Sequence, residues 1–135
     1  MDRRTERETV FKMLFESEFK KEEDPSLIFD EVVAAAESDL SDYARTVYFG
    51  VRSRSDEIDP IISSHSKDWK ISRISKVSLC VMRLSIFEMK EVSSDIPYAV
   101  SINEAVELAK KYDDPAAAKF INGILNSVAE EFGLK

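Results

Sequence analysis

The chain has one cysteine, one histidine, three glycines and four prolines in 135 residues, and each scarcity removes a class of answer. A lone Cys80 closes no internal disulfide, and its place in the apolar run "VSLCVMRLSIF" predicts a buried, inert thiol. A lone His65 leaves serine–histidine–aspartate triads, cysteine–histidine pairs and multi-histidine metal sites without partners, so it reads as structural. Neither G-x-x-x-x-G-K-[ST] nor G-x-G-x-x-G occurs, and the phosphate cradles those motifs build are missing. No run of about 18 apolar residues is present, and the start "MDRRTERETVFKML" is charged and amphipathic. Neither a membrane span nor a signal peptide is supported, which makes the cytoplasm the default compartment. A positive balance is missing too: the net charge is −7, which argues against nucleic-acid binding by bulk electrostatics, because phosphates are neutralised by clustered lysine and arginine. Any such binding must be local. The expectation is a protein that is not an enzyme, with no metal and no cofactor.

What is present is a soluble-type composition, 44% hydrophobic and 33% charged, in a length suited to one domain over residues 1–135 with a real core. With few turn residues and no repeated period-2 alternation, the chain reads as all-α. The spacing predicts helices over roughly 3–21, 25–37, 41–58, 60–67, 75–92, 101–112 and 115–132. Asp24-Pro25 and Asp114-Pro115 read as N-cap followed by first helical residue, and Asp59-Pro60 as a kink or restart. The segment 75–92 is apolar around most of its circumference and should be central. In "VSINEAVELAKKY" (100–112), Ile102, Ala105, Val106 and Ala109 form one helical stripe, Ser101 and Glu104 match a capping box, and Glu107 and Lys111 an i,i+4 pair. Phe132-Gly133 reads as a helix stop.

Basic and aromatic residues meet in two places. On a helix beginning near residue 3, Arg3, Arg4 and Arg7 fall in one sector of about 100° and Phe11, Leu14 and Phe15 continue near it, a combination able to hold phosphates and stack bases. Asp2, Glu6 and Glu8 cancel the formal charge there, and Phe11 and Leu14 also suit a core. The stretch "HSKDWKISRISK" (65–76) holds Lys67, Lys70, Arg73 and Lys76 around Trp69, which reads as a packing anchor. Arg83, in the most apolar helix, must be paired or reach the surface; its expected partner is Glu88, Glu104 or Glu107.

Five segments in order, the Arg-rich start with Arg7-Glu8 ahead of Leu14-Phe15, "GVRSRSDEID" (50–59), "WKISRISKVSLCVMRLSIFEM" (69–89), "IPYAVSINEAVELAKKY" (96–112) and "KFINGIL" (119–125), together resemble the NusB family of bacterial transcription antitermination factors over nearly the whole chain. The resemblance implies an all-helical fold of two small bundles. It implies pairing with NusE, the ribosomal small-subunit protein S-ten, binding of boxA RNA in nascent ribosomal RNA transcripts, and membership of an antitermination complex on RNA polymerase. Carried over by position, it implies RNA contacts at Arg3, Arg4, Arg7, Phe15, Lys119 and Phe120, and a NusE-facing surface around Arg73 and Ser78. The chain departs from the family at Glu6, where many members have alanine, at Ser78, where an acidic residue is usual, and in the more apolar loop "DDPAAAKF". These imply weaker intrinsic RNA affinity, loss of a charged NusE contact and fewer polar RNA contacts. The alternatives are the RNA-binding module of a ribosomal RNA cytosine methyltransferase, against which the end at Lys135 counts, and a helical adaptor without RNA binding.

Overall fold

A computed structural model describes residues 1–36, 40–67 and 69–135, so the predicted helix end at residue 37 and Asp68 of the basic stretch lie outside the described residues. Six α-helices form, with no strand among the described residues. They are α1 (Arg3–Ser17), α2 (Pro25–Ala35), α3 (Asp42–His65), α4 (Lys76–Glu91), α5 (Tyr98–Tyr112) and α6 (Pro115–Glu131), with a single 3-10 turn, Ile71–Arg73, ahead of α4. None is long and apolar enough to cross a membrane.

Local chemistry sets most of the boundaries. Asp2, Asp24 and Asp114 each accept a backbone N–H in the first turn of α1, α2 and α6, and Pro25 and Pro115 take the first helical position, where no N–H is needed. Ser75 caps α4 by accepting from the Ser78 amide at 3.0 Å. At the C-terminus Gly133 turns left-handed, φ 72°, so that Leu134 N–H reaches the Ala129 carbonyl at 3.0 Å, the closure that glycine makes cheaply.

Three boundaries differ from expectation. The break expected at Asp59-Pro60 falls earlier: α3 continues through Pro60, but it is two helical segments joined across a kink at Arg54 (φ −114°, ψ 17°). A proline removes one helical hydrogen bond, and the buried Ile58 and Ile62 on either side hold the helix together. Helix α1 stops at Ser17, whose hydroxyl caps the Leu14 carbonyl at 2.6 Å; beyond it the chain turns, and Phe19 is 64% exposed. Helix α5 begins at Tyr98 with Pro97 before it, so Ser101 lies inside the first turn. The capping box is not formed there.

The core is built around α4, which touches α1, α3, α5 and α6 and is buried without interruption from Ser78 to Met89. Helices α1–α3 make one group, with α2 docked by stacking Phe29 on Tyr48 at 5.9 Å and by the Tyr48 hydroxyl donating to the Pro25 carbonyl at 2.8 Å. Helices α4–α6 make the other. Cys80 is 1% exposed, and burial pushes its thiol pKa up to about 12, which leaves it unreactive near neutral pH.

Two buried ionic clusters tie the groups together. Arg83 is paired, though not with its expected partners: Asp59 of α3 takes its Nε and Nη2 at 2.8 and 2.9 Å, and Glu18 takes Nη1 at 3.1 Å. Burial works against the guanidinium, yet the Asp59 and Glu18 carboxylates outweigh it and raise its pKa. Glu88, 0% exposed, instead accepts from Arg7 Nε at 2.9 Å, from the Tyr43 hydroxyl and from Ser101 Oγ at 2.7 Å. Four helices, α1, α3, α4 and α5, therefore converge on one carboxylate.

Candidate nucleic-acid interface

At about 100° per residue, setting Arg3 at 0° places Arg4 near 100° and Arg7 near 40° on α1, in phase with Phe11 near 80° and Leu14 near 20°. That phase decides the fate of the three arginines. Arg7 falls on the buried stripe, 3% exposed, and its guanidinium is spent on Glu88 and, at 3.7 Å, on Glu104. Arg3 and Arg4 flank it and stay exposed, leaning apart. Arg3 lies over the Tyr43 ring of α3, 4.2 Å from its centroid, a cation–π contact. Arg4 leans to α5, where its Nε donates to both Glu104 oxygens at 3.2 Å. The Arg7 signal was present in the sequence as its phase with Phe11 and Leu14.

Helix α5 runs beside α1 in the same direction, shown by three successive rungs. Arg4 meets Glu104, Glu8 meets Lys111 at 2.7 Å, and Phe11 meets Tyr112 with ring centroids 5.1 Å apart. Lys111 thus crosses to α1 instead of pairing with Glu107, which Lys110 takes at 3.4 Å. The Lys111 bond holds the Glu8 carboxylate below its usual range and raises the lysine in turn. Between the rungs lies an open groove of about 500 Å³, bordered by Arg4, Arg7, Glu104, Glu107, Lys110 and Lys111. The aromatic line continues from Phe11 to Phe15 at 6.2 Å and from Phe15 to the exposed Phe19 at 5.3 Å. Lys76 Nζ covers Phe19 at 5.7 Å. Phe15 is half-buried and, at 1.5 Å rise per residue, about 17 Å along α1 from Arg4, so the arginines and Phe15 occupy opposite ends of one seam.

A second groove, of about 400 Å³, opens where the 3-10 turn, the start of α4 and the start of α6 meet. Trp69, Arg73, Ser78, Asp113 and Phe120 border it. Trp69, expected as a packing anchor, packs edge-on against Phe120 at 6.2 Å while remaining 52% exposed. Asp113 accepts from Ser75 and Ser78 hydroxyls at 2.7 and 3.1 Å, so Ser78, 3% exposed, presents little of itself to the groove. Arg73 and Lys119 are exposed and Phe120 half-buried. Glu6 is 5% exposed because it accepts from the amide of Ser41 at 3.0 Å and from its hydroxyl at the head of α3; its charge serves the fold. His65 lies outside both grooves, with Nδ1 2.8 Å from Ser127 Oγ. Among the described residues no cluster of three or more histidine, cysteine, aspartate or glutamate side chains is placed to hold a metal.

The arrangement offers cations and aromatic faces for a phosphate-bearing strand along one seam and a partly apolar groove beside it. Residues 4–130 match the model of the NusB family. Among curated relatives, the transcription antitermination protein NusB of Natranaerobius thermophilus is 41% identical, over 97% of this chain and 96% of its own. Among solved structures, NusB of T. maritima superposes with a TM-score of 0.88 at 36% identity, covering 97% of this chain and 92% of that one. A complex of the antitermination factors NusB and NusE with double-stranded RNA contains a chain 30% identical, with a TM-score of 0.83 and 96% coverage of each.

Proposed function

Because the chain belongs to the NusB family of transcription antitermination factors, which are not enzymes, we propose that it pairs with NusE, the ribosomal protein S-ten, and with it binds boxA RNA in nascent ribosomal RNA transcripts. The observation that carries this reading is the likeness over nearly the full length to a chain solved with NusE and RNA, in a molecule whose own exposed cations and aromatics lie along a seam. The RNA contacts proposed are Arg3, Arg4, Phe15, Lys119 and Phe120, the exposed or half-buried members of the basic and aromatic set. Arg7 belongs to that set by position along the chain, but its partner is Glu88, so its part is to hold the start of α1 against α4. The groove bordered by Arg73 and Ser78, with Phe120 among its lining residues, is the NusE-facing surface. The assembly joins an antitermination complex on RNA polymerase in the cytoplasm.

The reading is tested by titrating a boxA RNA oligonucleotide into the protein with and without NusE. Tighter binding in the presence of NusE, weakened by Phe120→Ala and Lys119→Ala and by Arg73→Glu only when NusE is present, is the expected result. An affinity that NusE does not change, or that these substitutions leave intact, overturns it.

A further inference from the structure

We propose that Glu104 sets the RNA affinity of the α1–α5 groove by competing with RNA phosphates for Arg4. The inference rests on the RNA-binding reading above and adds a residue which that reading does not contain. Every cation bordering the groove already has a carboxylate: Arg4 has Glu104, Arg7 has Glu88 and Glu104, Lys110 has Glu107 and Lys111 has Glu8. The groove is therefore electrically balanced, although it looks basic when only its arginines and lysines are counted.

The Arg4–Glu104 pair is the one placed to exchange. Its guanidinium side chain is 72% exposed and its carboxylate 14%, so the anion is anchored between the helices while the cation lies outside, within reach of a strand arriving from solvent. Glu104 occupies Nε, an N–H that the planar fork needs for one of its two-toothed grips on a phosphate. A phosphate either displaces the carboxylate or settles on the remaining nitrogens a few ångströms from a like charge. Both routes lower affinity, and both are relieved by removing the charge of Glu104. Arg7 keeps Glu88 at 2.9 Å when Glu104 is neutral, so the fold does not depend on the exchange.

The test compares the protein with Glu104→Gln, Arg4→Ala, the double variant, and Glu130→Gln, an exposed site on α6, as a control for net charge. Each is titrated with a boxA RNA oligonucleotide at several salt concentrations. Glu104→Gln is expected to bind about 2- to 5-fold tighter, the scale of an exposed ion pair, with a salt slope steeper by about 0.7, one single-strand phosphate contact. Arg4→Ala should cost more in the Glu104→Gln background than alone, because Arg4 is then uncontested. Glu104→Gln binding no tighter than the unaltered protein, a gain matched by Glu130→Gln, or equal losses from Arg4→Ala in both backgrounds overturns the proposal while leaving RNA binding itself intact. If neither the unaltered protein nor Glu104→Gln binds RNA, with or without NusE, the RNA-binding reading fails and takes this inference with it.

Discussion

Replacing Arg7 by alanine should damage the fold before it damages any binding. The guanidinium is 3% exposed and the Glu88 carboxylate it serves is 0% exposed. Burial opposes the charged arginine, but the Glu88 carboxylate overcomes that opposition and its pKa is raised. Alanine leaves Glu88 with two neutral donors, the Tyr43 and Ser101 hydroxyls, and an uncompensated charge. Breaking a buried pair from one side costs about 3–5 kcal/mol, a large part of the roughly 5–15 kcal/mol that holds a domain folded. For a chain of this size the thermal midpoint should fall by roughly 10–20 °C. Arg7→Lys, which keeps the charge but not the planar Nε contact, should fall by less. The assay is thermal unfolding followed by circular dichroism, with boxA RNA titrated at a temperature where each variant is folded. A midpoint within a few degrees of the unaltered protein, combined with loss of RNA binding, would mean that Arg7 is a phosphate ligand and that the buried-pair reasoning is wrong.

Arg83→Ala removes the bond from α4 to Asp59 and Glu18 and should lower the urea midpoint by the equivalent of about 3 kcal/mol with an unchanged slope; a shift below about 1 kcal/mol refutes the bridging role. At Gly50 a Cβ would stand 2.2 Å from Cζ of Phe87, whose ring is 4% exposed, so Gly50→Ala should destabilise by about 1–3 kcal/mol through overpacking. A neutral result in chemical denaturation would show that the ring can move aside. The Asp24 carboxylate, held below its usual 3.8 by the Ser26 amide and hydroxyl, contributes stability that is complete above that value and is lost as pH falls through the lowered one. Asp24→Asn should therefore flatten the stability profile only below about pH 4, and an equal effect at pH 7 and pH 3 would refute it.

Features whose cause is local could be read from the chain. The Asp-Pro starts of α2 and α6 and the Gly133 stop need only neighbours within one turn, and the burial of α4 follows from having apolar residues on every side. Family membership was legible because it rests on the order and spacing of five motifs. Asp59-Pro60 signalled that α3 is not continuous but not where it bends: the kink falls at Arg54, and the buried Ile58 and Ile62 carry the helix through Pro60 itself. Ser101 misled because a capping-box pattern is available only at a helix start, and Pro97 had already set the start three residues earlier.

Ion-pair partners are the part that local reasoning could not reach. Arg83 demanded a carboxylate, and the chain offers many; Glu88 and Glu104 were the attractive choices because they lie near it in sequence or on the next helix. On α4, however, Glu88 is five residues from Arg83, about 140° around the axis, so the two side chains serve different neighbours. Glu88 faces the α1–α5 side, where Arg7, Tyr43 and Ser101 bind it, and Arg83 faces α3 and Asp59. The same geometry governs the arginines of α1. Counting them as one cluster predicts a phosphate site, whereas their phase assigns Arg7 to the core, Arg3 to the Tyr43 ring and Arg4 to Glu104. A basic cluster in an acidic chain is thus only as strong as the carboxylates that its helix neighbours leave unspent, and here RNA affinity should depend on Glu104 as much as on the arginines.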